Sequence, residues 1–314
     1  MTVDKKNATL IIIMSTVNIL GMNKKATPIE SDELCAKSAV DLVTLIKKRE
    51  ISCVDLMESC IHRYEQVNGA INAVIETNFE NALSVSKDVD KNFEQRIANE
   101  RFLPIPIGIK DLNDVAGMKT TYGSPLFQNN KVENDDDVVA HLKDASAMIF
   151  GKTNVPEHGF GATTTNPLQG STGNPFNPLL SAGASTGGGA AAVASGIVPL
   201  ATGSDFAGSL RTPASFCGIT GVRPSNGIVG TGRRSNIWSP FDVEGPMAKT
   251  AADCKLLLGH MAKSHPLDPF SKSQSVELLQ PAEEIDLKKL KVAVSHDLGF
   301  AIMSKSYKHT FTRK

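Results

Sequence analysis

Ser185 and Ser209 stand 24 positions apart, each inside its own glycine-rich turn, and both are candidates for nucleophilic chemistry. Seventeen of the chain's 25 glycines fall between positions 151 and 232. Because glycine costs conformational entropy on folding, this concentration indicates backbone that bends sharply or approaches a ligand closely. Between the two turns, the pattern predicts a helix of small residues at 188–195 and an apolar strand at 197–202.

Ser209 is the candidate nucleophile, because residues 210–216 after it can begin a helix. Pro213 fits the first helical turn, where its missing N–H has no partner to lose. Ser209 would then stand at a helix N-terminus, where free backbone N–H groups favour negative charge. An acyl-transfer nucleophile needs such donors to hold the oxyanion of a tetrahedral intermediate. The candidate donors are the backbone N–H groups of Phe206, Ala207, Gly208 and Ser209.

A serine hydroxyl needs a base, and Lys110 is the candidate. It ends an apolar run that is predicted to be a short buried strand, and burial lowers the pKa of a lysine from about 10.4. A neutral lysine is a competent general base. His158, the one histidine of seven within the glycine-rich region, is expected to line the core or the pocket. Lys152 also follows a buried strand and competes as the base, and spacing alone does not say how a proton would travel.

These motifs resemble those of the amidase signature family. The family pattern Gly-Gly-Ser-Ser-Gly-Gly corresponds to residues 183–188, and Gly-Ser-Asp-Thr-Gly-Gly-Ser-Ile-Arg-x-Pro-Ala corresponds to residues 203–214. Residues 151–157 and 245–253 match further family motifs in the same order. The resemblance runs from about residue 38 to residue 300.

The resemblance implies a role for each of the three candidate residues. Ser209 would be the acyl-ester nucleophile, Ser185 the bridging serine held by a cis peptide, and Lys110 the terminal base. Lys152 would be structural. The implied reaction is hydrolysis of a carboxamide C–N bond, in linear or cyclic amides, through an acyl-enzyme with a Ser-Ser-Lys triad.

The chain departs from the family pattern near both serines. Thr186 replaces the second serine of its pair, and Phe206 and Ala207 replace threonine and glycine in the oxyanion turn. If Ala207 adopted a positive φ, its Cβ would cost about 1 kcal/mol or more. We expect the turn to accept alanine and Phe206 to line the pocket. Asp205 and Arg211 are expected to pair and hold the nucleophile turn.

Alternating helix and strand patterns favour an α/β fold, which the resemblance specifies as a mixed β-sheet core flanked by helices, incomplete at the C-terminal side. A capping box at Ser52 predicts the start of one helix. Further helices are predicted at 78–87, 138–143 and 251–261, and strands at 71–75, 147–150 and 290–295.

Composition excludes several classes of function. Lysine plus arginine equals aspartate plus glutamate at 33 each, so nothing indicates nucleic-acid binding. No histidine or carboxylate cluster has metal-ligand spacing, and the proposed hydrolysis needs neither metal nor cofactor. Five cysteines in irregular positions predict no disulfide framework and favour the cytoplasm. The expected partner is a small-molecule amide, and a homodimer is left open.

The two ends are interpreted separately from the amidase domain. Residues 1–29 are an N-terminal extension, 30–303 the N-terminal part of the amidase domain, and 304–314 a basic tail outside the family. The apolar stretch at 8–22 resembles a weak signal peptide, which makes export the alternative location, but it is too short and polar for a stable membrane span. Family domains continue further, so we expect a truncated chain.

Two alternatives to the amidase remain open. One is the glutaminase-type subunit of a transfer-RNA-dependent amidotransferase, and the other is a truncated, inactive remnant. Phosphate binding by the glycine-rich turns is disfavoured, because neither Gly-x-x-x-x-Gly-Lys-Ser/Thr nor a post-strand Gly-x-Gly-x-x-Gly is present.

Overall fold

The computed structural model describes residues 33–232, 236–271 and 286–312. The chain forms two units, residues 1–279 and residues 280–314. The N-terminal extension expected at 1–29, with its signal-like stretch, lies outside the described residues.

The helices of the described residues begin and end as follows: α1 (Glu33–Ala36), α2 (Ala39–Lys47), α3 (Cys53–Ile71), α4 (Phe79–Lys91), α5 (Phe93–Ile97), α6 (Asp137–Asp144), α7 (Gly187–Ala194), α8 (Arg211–Cys217), α9 (Ala251–Met261) and α10 (Lys305–Thr312). The strands are β1 (Val74–Thr77), β2 (Pro106–Lys110), β3 (Met148–Thr153), β4 (Thr165–Asn166), β5 (Gly170–Ser171), β6 (Gly173–Asn174), β7 (Asn177–Ser181), β8 (Leu200–Asp205), β9 (Thr220–Gly221) and β10 (Val243–Ala248). In the part of the chain described here, no helix has both the length and the apolar character needed to cross a membrane.

A six-stranded mixed sheet organises the first unit, in the order β1-β3-β2-β8-β10-β9. The three central strands β3, β2 and β8 run parallel, while β1, β10 and β9 are antiparallel to their neighbours. Every residue of β2, β3 and β8 is buried, as expected for parallel strands covered on both faces. The predicted α/β fold with a mixed sheet flanked by helices is therefore confirmed.

Local sequence signals set several boundaries of these elements. Ser52 and Asp55 form the predicted capping box of α3, each side chain bonding the backbone N–H of the other. Asn72 ends the same helix in the left-handed conformation, with φ 50°. The strand predicted at 71–75 therefore starts only at Val74. The predicted helix at 251–261 matches α9 in both bounds.

Helix α7 lies against the sheet at a distance that only glycine permits. A Cβ on Gly188 would come within 2.2 Å of the backbone nitrogen of Asn154 and 2.7 Å of the carbonyl oxygen of Ala73. A Cβ on Gly187 would come within 2.3 Å of Thr164 Oγ1. The small residues of α7 thus let its first turn touch the backbone after β3, and this contact fixes the position of the segment just before the helix.

Two strand predictions need correction. The strand expected at 197–202 is β8, which begins at Leu200 and continues to Asp205. No strand forms at 290–295, where Val292 and Val294 are 74% and 73% exposed. An apolar alternation becomes a strand only where a neighbouring strand supplies hydrogen bonds, and no described residue pairs with this segment. The described part of the second unit otherwise contains a 3₁₀ turn at Leu287–Lys289 and helix α10.

The close approach of α7 predicts a difference between two glycine-to-alanine variants. Gly188→Ala is expected to lower the free energy of unfolding by about 3 kcal/mol, because its Cβ meets backbone atoms that cannot move aside. Gly69→Ala, at an exposed position inside α3 with no atom near its Cβ, is expected to raise it by about 0.5–1 kcal/mol. Urea denaturation of both variants measures the difference, and equal stabilities would contradict the packing argument.

Candidate active site

The carboxyl ends of two parallel strands bring the candidate residues together. Lys110 is the last residue of β2, and Ser204 and Asp205 are the last two of the adjacent strand β8. The turn after β8 carries Ser209 and leads into α8, while Ser185 lies two residues before α7. Ligands of α/β folds commonly bind beyond the carboxyl ends of parallel strands.

The amine of Lys110 is fully buried and contacts only neutral oxygens. Its Nζ lies 2.8 Å from Ser185 Oγ, 2.9 Å from Ser204 Oγ and 3.4 Å from the Ser204 carbonyl oxygen. No carboxylate of the described residues is within ion-pair distance of Nζ. Burial lowers the pKa of Lys110 to about 8, although the charges of Glu244, Asp242 and Asp205 act in the opposite direction. A lysine held this way releases its proton far more readily than one in water.

Lys152 has a different environment, although it is equally buried. Its Nζ forms an ion pair with Asp111 Oδ1 at 2.7 Å and also donates to Thr120 Oγ1 and the Lys119 carbonyl. Burial lowers the pKa of Lys152, but the charge and hydrogen bond of Asp111 oppose that effect. The geometry agrees with the expected structural role and separates the two buried lysines.

Ser185 and Ser209 belong to one wall of the same cavity. The backbone N–H of Thr186 donates to the carbonyl oxygen of Ser209 at 3.2 Å, which ties the segment before α7 to the turn before α8. The Ala184–Ser185 peptide bond is cis. Ser185 Oγ faces the Lys110 amine from this segment, so a hydroxyl lies between the buried amine and the cavity.

Asp205 holds the turn that carries Ser209. Its carboxylate accepts hydrogen bonds from the backbone N–H groups of Gly208 (2.8 Å) and Leu210 (3.2 Å). The expected ion pair with Arg211 is present, with Nε 3.0 Å from Oδ2, and Arg223 makes a second one at 3.3 Å. Burial would raise the pKa of Asp205, but the hydrogen bonds from Arg211, Gly208 and Leu210 lower it below its usual value.

This arrangement changes the set of candidate oxyanion donors. The N–H of Gly208 is taken by Asp205 and is not free for a ligand. Within the described residues, no acceptor takes the N–H groups of Phe206, Ala207 or Ser209. Ala207 does not adopt a positive φ, which falls instead on Gly208 at 113°. The backbone strain that a positive φ would place on the alanine is therefore absent.

Thr186 packs against β8, next to Ser185 in the chain. It is fully buried, and its Oγ1 donates to the carbonyl oxygen of Ser204 at 3.4 Å. A Cβ on Gly203 would come within 2.6 Å of the Thr186 methyl carbon. The added methyl group is thus accommodated by the glycine opposite.

The cavity in front of the two serines measures about 1030 Å³. Its wall is rich in aromatic side chains, and Phe206 lies 5.6 Å from Phe241 between ring centroids. Phe206 therefore lines the pocket as expected. His158 also lines it, stacked on Tyr122, and is not among the hydrogen-bond partners of the Lys110 amine. The remaining aromatic residues of the wall are Phe160, Phe216 and Trp238.

Three polar residues near Lys110 were missed by sequence reasoning. Ser204 contacts the amine directly, and Glu244 and Asn113 lie behind it, joined by a hydrogen bond of 3.2 Å. Ser204 could have been found, because it belongs to the same motif as Ser209. Glu244 immediately precedes the Gly245-Pro246 motif, but no local pattern links it to Lys110. Among the described residues, no group of histidine, cysteine or carboxylate side chains could hold a metal ion.

Comparison with known proteins decides the family. The Amidase family model matches residues 55–314. The chain belongs to the amidase signature family. The matched range includes residues 304–314, which are expected from the sequence alone to form a tail outside the family.

Similar proteins include amidases and an amidotransferase component. The acylamidase of Rhodococcus erythropolis is 36% identical over 83% of this chain and 55% of its own length. The glutamyl-tRNA(Gln) amidotransferase subunit from Nitrosococcus oceani is 36% identical over 82% of this chain and 53% of its own. The crystal structure of a bacterial aryl acylamidase superposes with a TM-score of 0.69 and 32% identity, covering 75% of this chain and 49% of that one. The chain thus spans about half the length of the proteins it matches.

The hydrogen bonds of Asp205 predict a stability effect centred on the turn that carries Ser209. Asp205→Asn is expected to lower the free energy of unfolding by about 2 kcal/mol, because it weakens charge-assisted hydrogen bonds to a fully buried carboxylate. Glu33→Gln is the matched control, since its ion pair with Lys37 is exposed and is expected to contribute less than about 1 kcal/mol. Denaturant titration measures both, and equal losses would contradict the assigned role.

Proposed function

We propose that this chain carries the acyl-transfer machinery of an amidase that hydrolyses carboxamides through a serine ester. Ser209 is the nucleophile, Ser185 the relay and Lys110 the base. The single observation that carries the proposal is the 2.8 Å contact between Ser185 Oγ and a buried Lys110 amine that has no ion-pair partner in the described chain.

The contacts of Lys110 support a neutral amine acting as the proton acceptor. A neutral amine has two hydrogens and one lone pair. The Ser204 carbonyl oxygen can only accept a hydrogen bond, and Ser204 Oγ provides a second acceptor. With both hydrogens used in this way, the lone pair faces the hydroxyl group of Ser185.

The proposed reaction moves one proton in each direction. As Ser209 Oγ bonds to the carbonyl carbon, its proton passes to Ser185 Oγ and the proton of Ser185 passes to Lys110 Nζ. The N–H groups of Phe206, Ala207 and Ser209 stabilise the oxyanion. The proton then returns by the same route to the leaving nitrogen, the C–N bond breaks, and water hydrolyses the ester through the same relay. Neither metal nor cofactor is required.

The substrate class follows from the cavity wall. Among the described residues that line it, five are aromatic and Asp242 is the one carboxylate. Such a wall favours an amide with an apolar or aromatic acyl or amine group. The glutaminase-type component of an amidotransferase is the second candidate, because the Nitrosococcus oceani protein is as similar to this chain as the acylamidase is.

Labelling by a fluorophosphonate tests the nucleophile and the base. The reagent is expected to modify Ser209, and Lys110→Ala is expected to reduce the labelling rate at least about a thousandfold, because the proton loses its acceptor. His158→Ala, which alters the cavity wall and not the relay, is the control and is expected to label within a few-fold of wild type. Peptide mapping identifies the modified residue.

Three results would count against parts of this assignment. Loss of labelling in His158→Ala and its retention in Lys110→Ala would overturn the choice of base. Cooperatively folded protein that does not label would favour an inactive remnant. Release of ammonia from glutamine, together with copurification of partner subunits, would favour the amidotransferase role over the aryl or alkyl amidase.

The lowered pKa of Lys110 predicts the pH dependence of the same labelling. Only the neutral amine accepts a proton, so the rate is expected to rise about tenfold per pH unit in acid and to level off above about pH 8. A rate profile with its midpoint near pH 6.5, the usual range of histidine, would contradict lysine as the base.

A further inference from the structure

Glu244 and Lys110 lie on the two strands that flank β8. The sheet order is β2-β8-β10, with Lys110 at the end of β2 and Glu244 in β10. Glu244 pairs directly with Ser204 in the antiparallel register of β10 and β8. Directly opposed residues of antiparallel strands project from the same face of the sheet. The side chain of Glu244 therefore projects beside that of Ser204.

Ser204 connects the two ionisable groups. Its Oγ lies 2.9 Å from Lys110 Nζ on one side, and its cross-strand neighbour on the other side is Glu244. The amine and the carboxyl group thus flank one small hydroxyl residue. The low dielectric constant of a buried site strengthens the interaction between two such charges.

The carboxyl group of Glu244 is only partly satisfied by its own hydrogen bonds. Oε1 accepts from Asn113 Nδ2 at 3.2 Å. Oε2 is buried and has no hydrogen-bond partner among the described residues. A charged carboxylate with one oxygen that accepts no hydrogen bond is costly to bury unless a nearby cation compensates for its charge. Among the described residues, Lys110 is the cation whose charge acts on Glu244 most strongly.

The surrounding charges make the proton occupancy of the two groups interdependent. Burial, together with the charges of Asp242 and Asp136, raises the pKa of Glu244 to about 8, although Asn113 and Lys110 act in the opposite direction. Glu244 is in turn the leading charge that raises the pKa of Lys110, ahead of Asp242 and Asp205. When groups interact this strongly, they titrate as a pair. The charged pair (Lys110 ammonium with Glu244 carboxylate) and the neutral pair (Lys110 amine with Glu244 carboxylic acid) hold the same number of protons. The balance between these two forms therefore decides how much of the amine is neutral.

We infer that Glu244 is a positioning residue for the base, and that its carboxyl group, acting from the far side of Ser204, controls the charge of the Lys110 amine. The inference rests on the proposed function, in which a neutral Lys110 accepts the proton. Glu244 is not among the residues that line the cavity, and its side chain makes no hydrogen bond to Ser185 or Ser209. It determines at which pH the base becomes available.

Glu244→Gln tests the inference, because it removes the charge and keeps an oxygen for Asn113. The midpoint of the fluorophosphonate labelling profile is expected to move toward lower pH by up to about one unit, because ionised Glu244 holds the proton on the wild-type amine near pH 8. Well below that pH, where Glu244 is itself protonated in wild type, the two rates are expected to converge, and the plateau at high pH is expected to be unchanged. Glu244→Asp retains the charge and is expected to restore most of the wild-type profile. Glu157→Gln removes a charge from an exposed residue next to the cavity and is expected to leave the midpoint in place.

Asp242→Asn provides a second variant should Glu244→Gln fold poorly. Its carboxylate also raises the pKa of Lys110, so its loss is expected to move the midpoint in the same direction by a smaller amount. A uniform loss of rate with an unmoved midpoint in Glu244→Gln would assign Glu244 a purely structural role and overturn the inference.

A direct titration of Lys110 separates this inference from the proposed function. The ¹³Cε resonance of Lys110, assigned with Lys110→Ala, is followed against pH in wild type and in Glu244→Gln. A lower midpoint in the variant supports the inference even if wild type does not label, in which case the proposed function alone has failed. Equal midpoints overturn the inference even if wild type labels as expected.

Discussion

Burial of the Lys110 amine among neutral oxygens is the constraint on which the candidate site depends. Taking an ammonium out of water without a carboxylate partner is expensive, so the folded chain favours the neutral amine. That preference leaves a larger fraction of the amine neutral near neutral pH than an exposed lysine would have. The surrounding fold keeps the environment dry: β2 is buried along its whole length between β3 and β8. The free-energy cost of burying the Lys110 amine is offset by burial of the large apolar core around the sheet.

The two buried lysines illustrate how the strand geometry assigns different roles to the same residue type. Asp111 directly follows Lys110, yet its carboxylate pairs with Lys152 on the neighbouring strand. Successive residues of an extended strand project to opposite sides, so Asp111 cannot serve the amine next to it. One lysine therefore has a counter-ion and stabilises the loop that contains Thr120 and Thr121, which both bond to this ion pair. The other has only hydroxyl and carbonyl neighbours.

Much of the fold could be predicted because its signals are local. The capping box of α3, the apolar run of β2 and the apolar period of α9 each lie within one element. The candidate site was predictable in part, because its serines lie in glycine-rich motifs. Ser204 lies in the same motif as Ser209 and could have been found, but its contact with Lys110 depends on the pairing of β2 with β8. Glu244 escaped notice because its position beside Ser204 depends on the register of β8 with β10, which no local pattern encodes. The error at 290–295 has the same origin, since pairing partners are not visible in an apolar alternation.

The contact of α7 with the backbone after β3 has a consequence for how this protein can change. Where main chain touches main chain, as at Gly188 and Asn154, the segment that carries Ser185 is positioned without help from replaceable side chains. Trp238 and Phe241, by contrast, come from a connection outside any helix or strand. Connections of this kind tolerate substitution and insertion. The shape of the cavity wall can therefore change by substitution while the segment that carries Ser185 keeps its position.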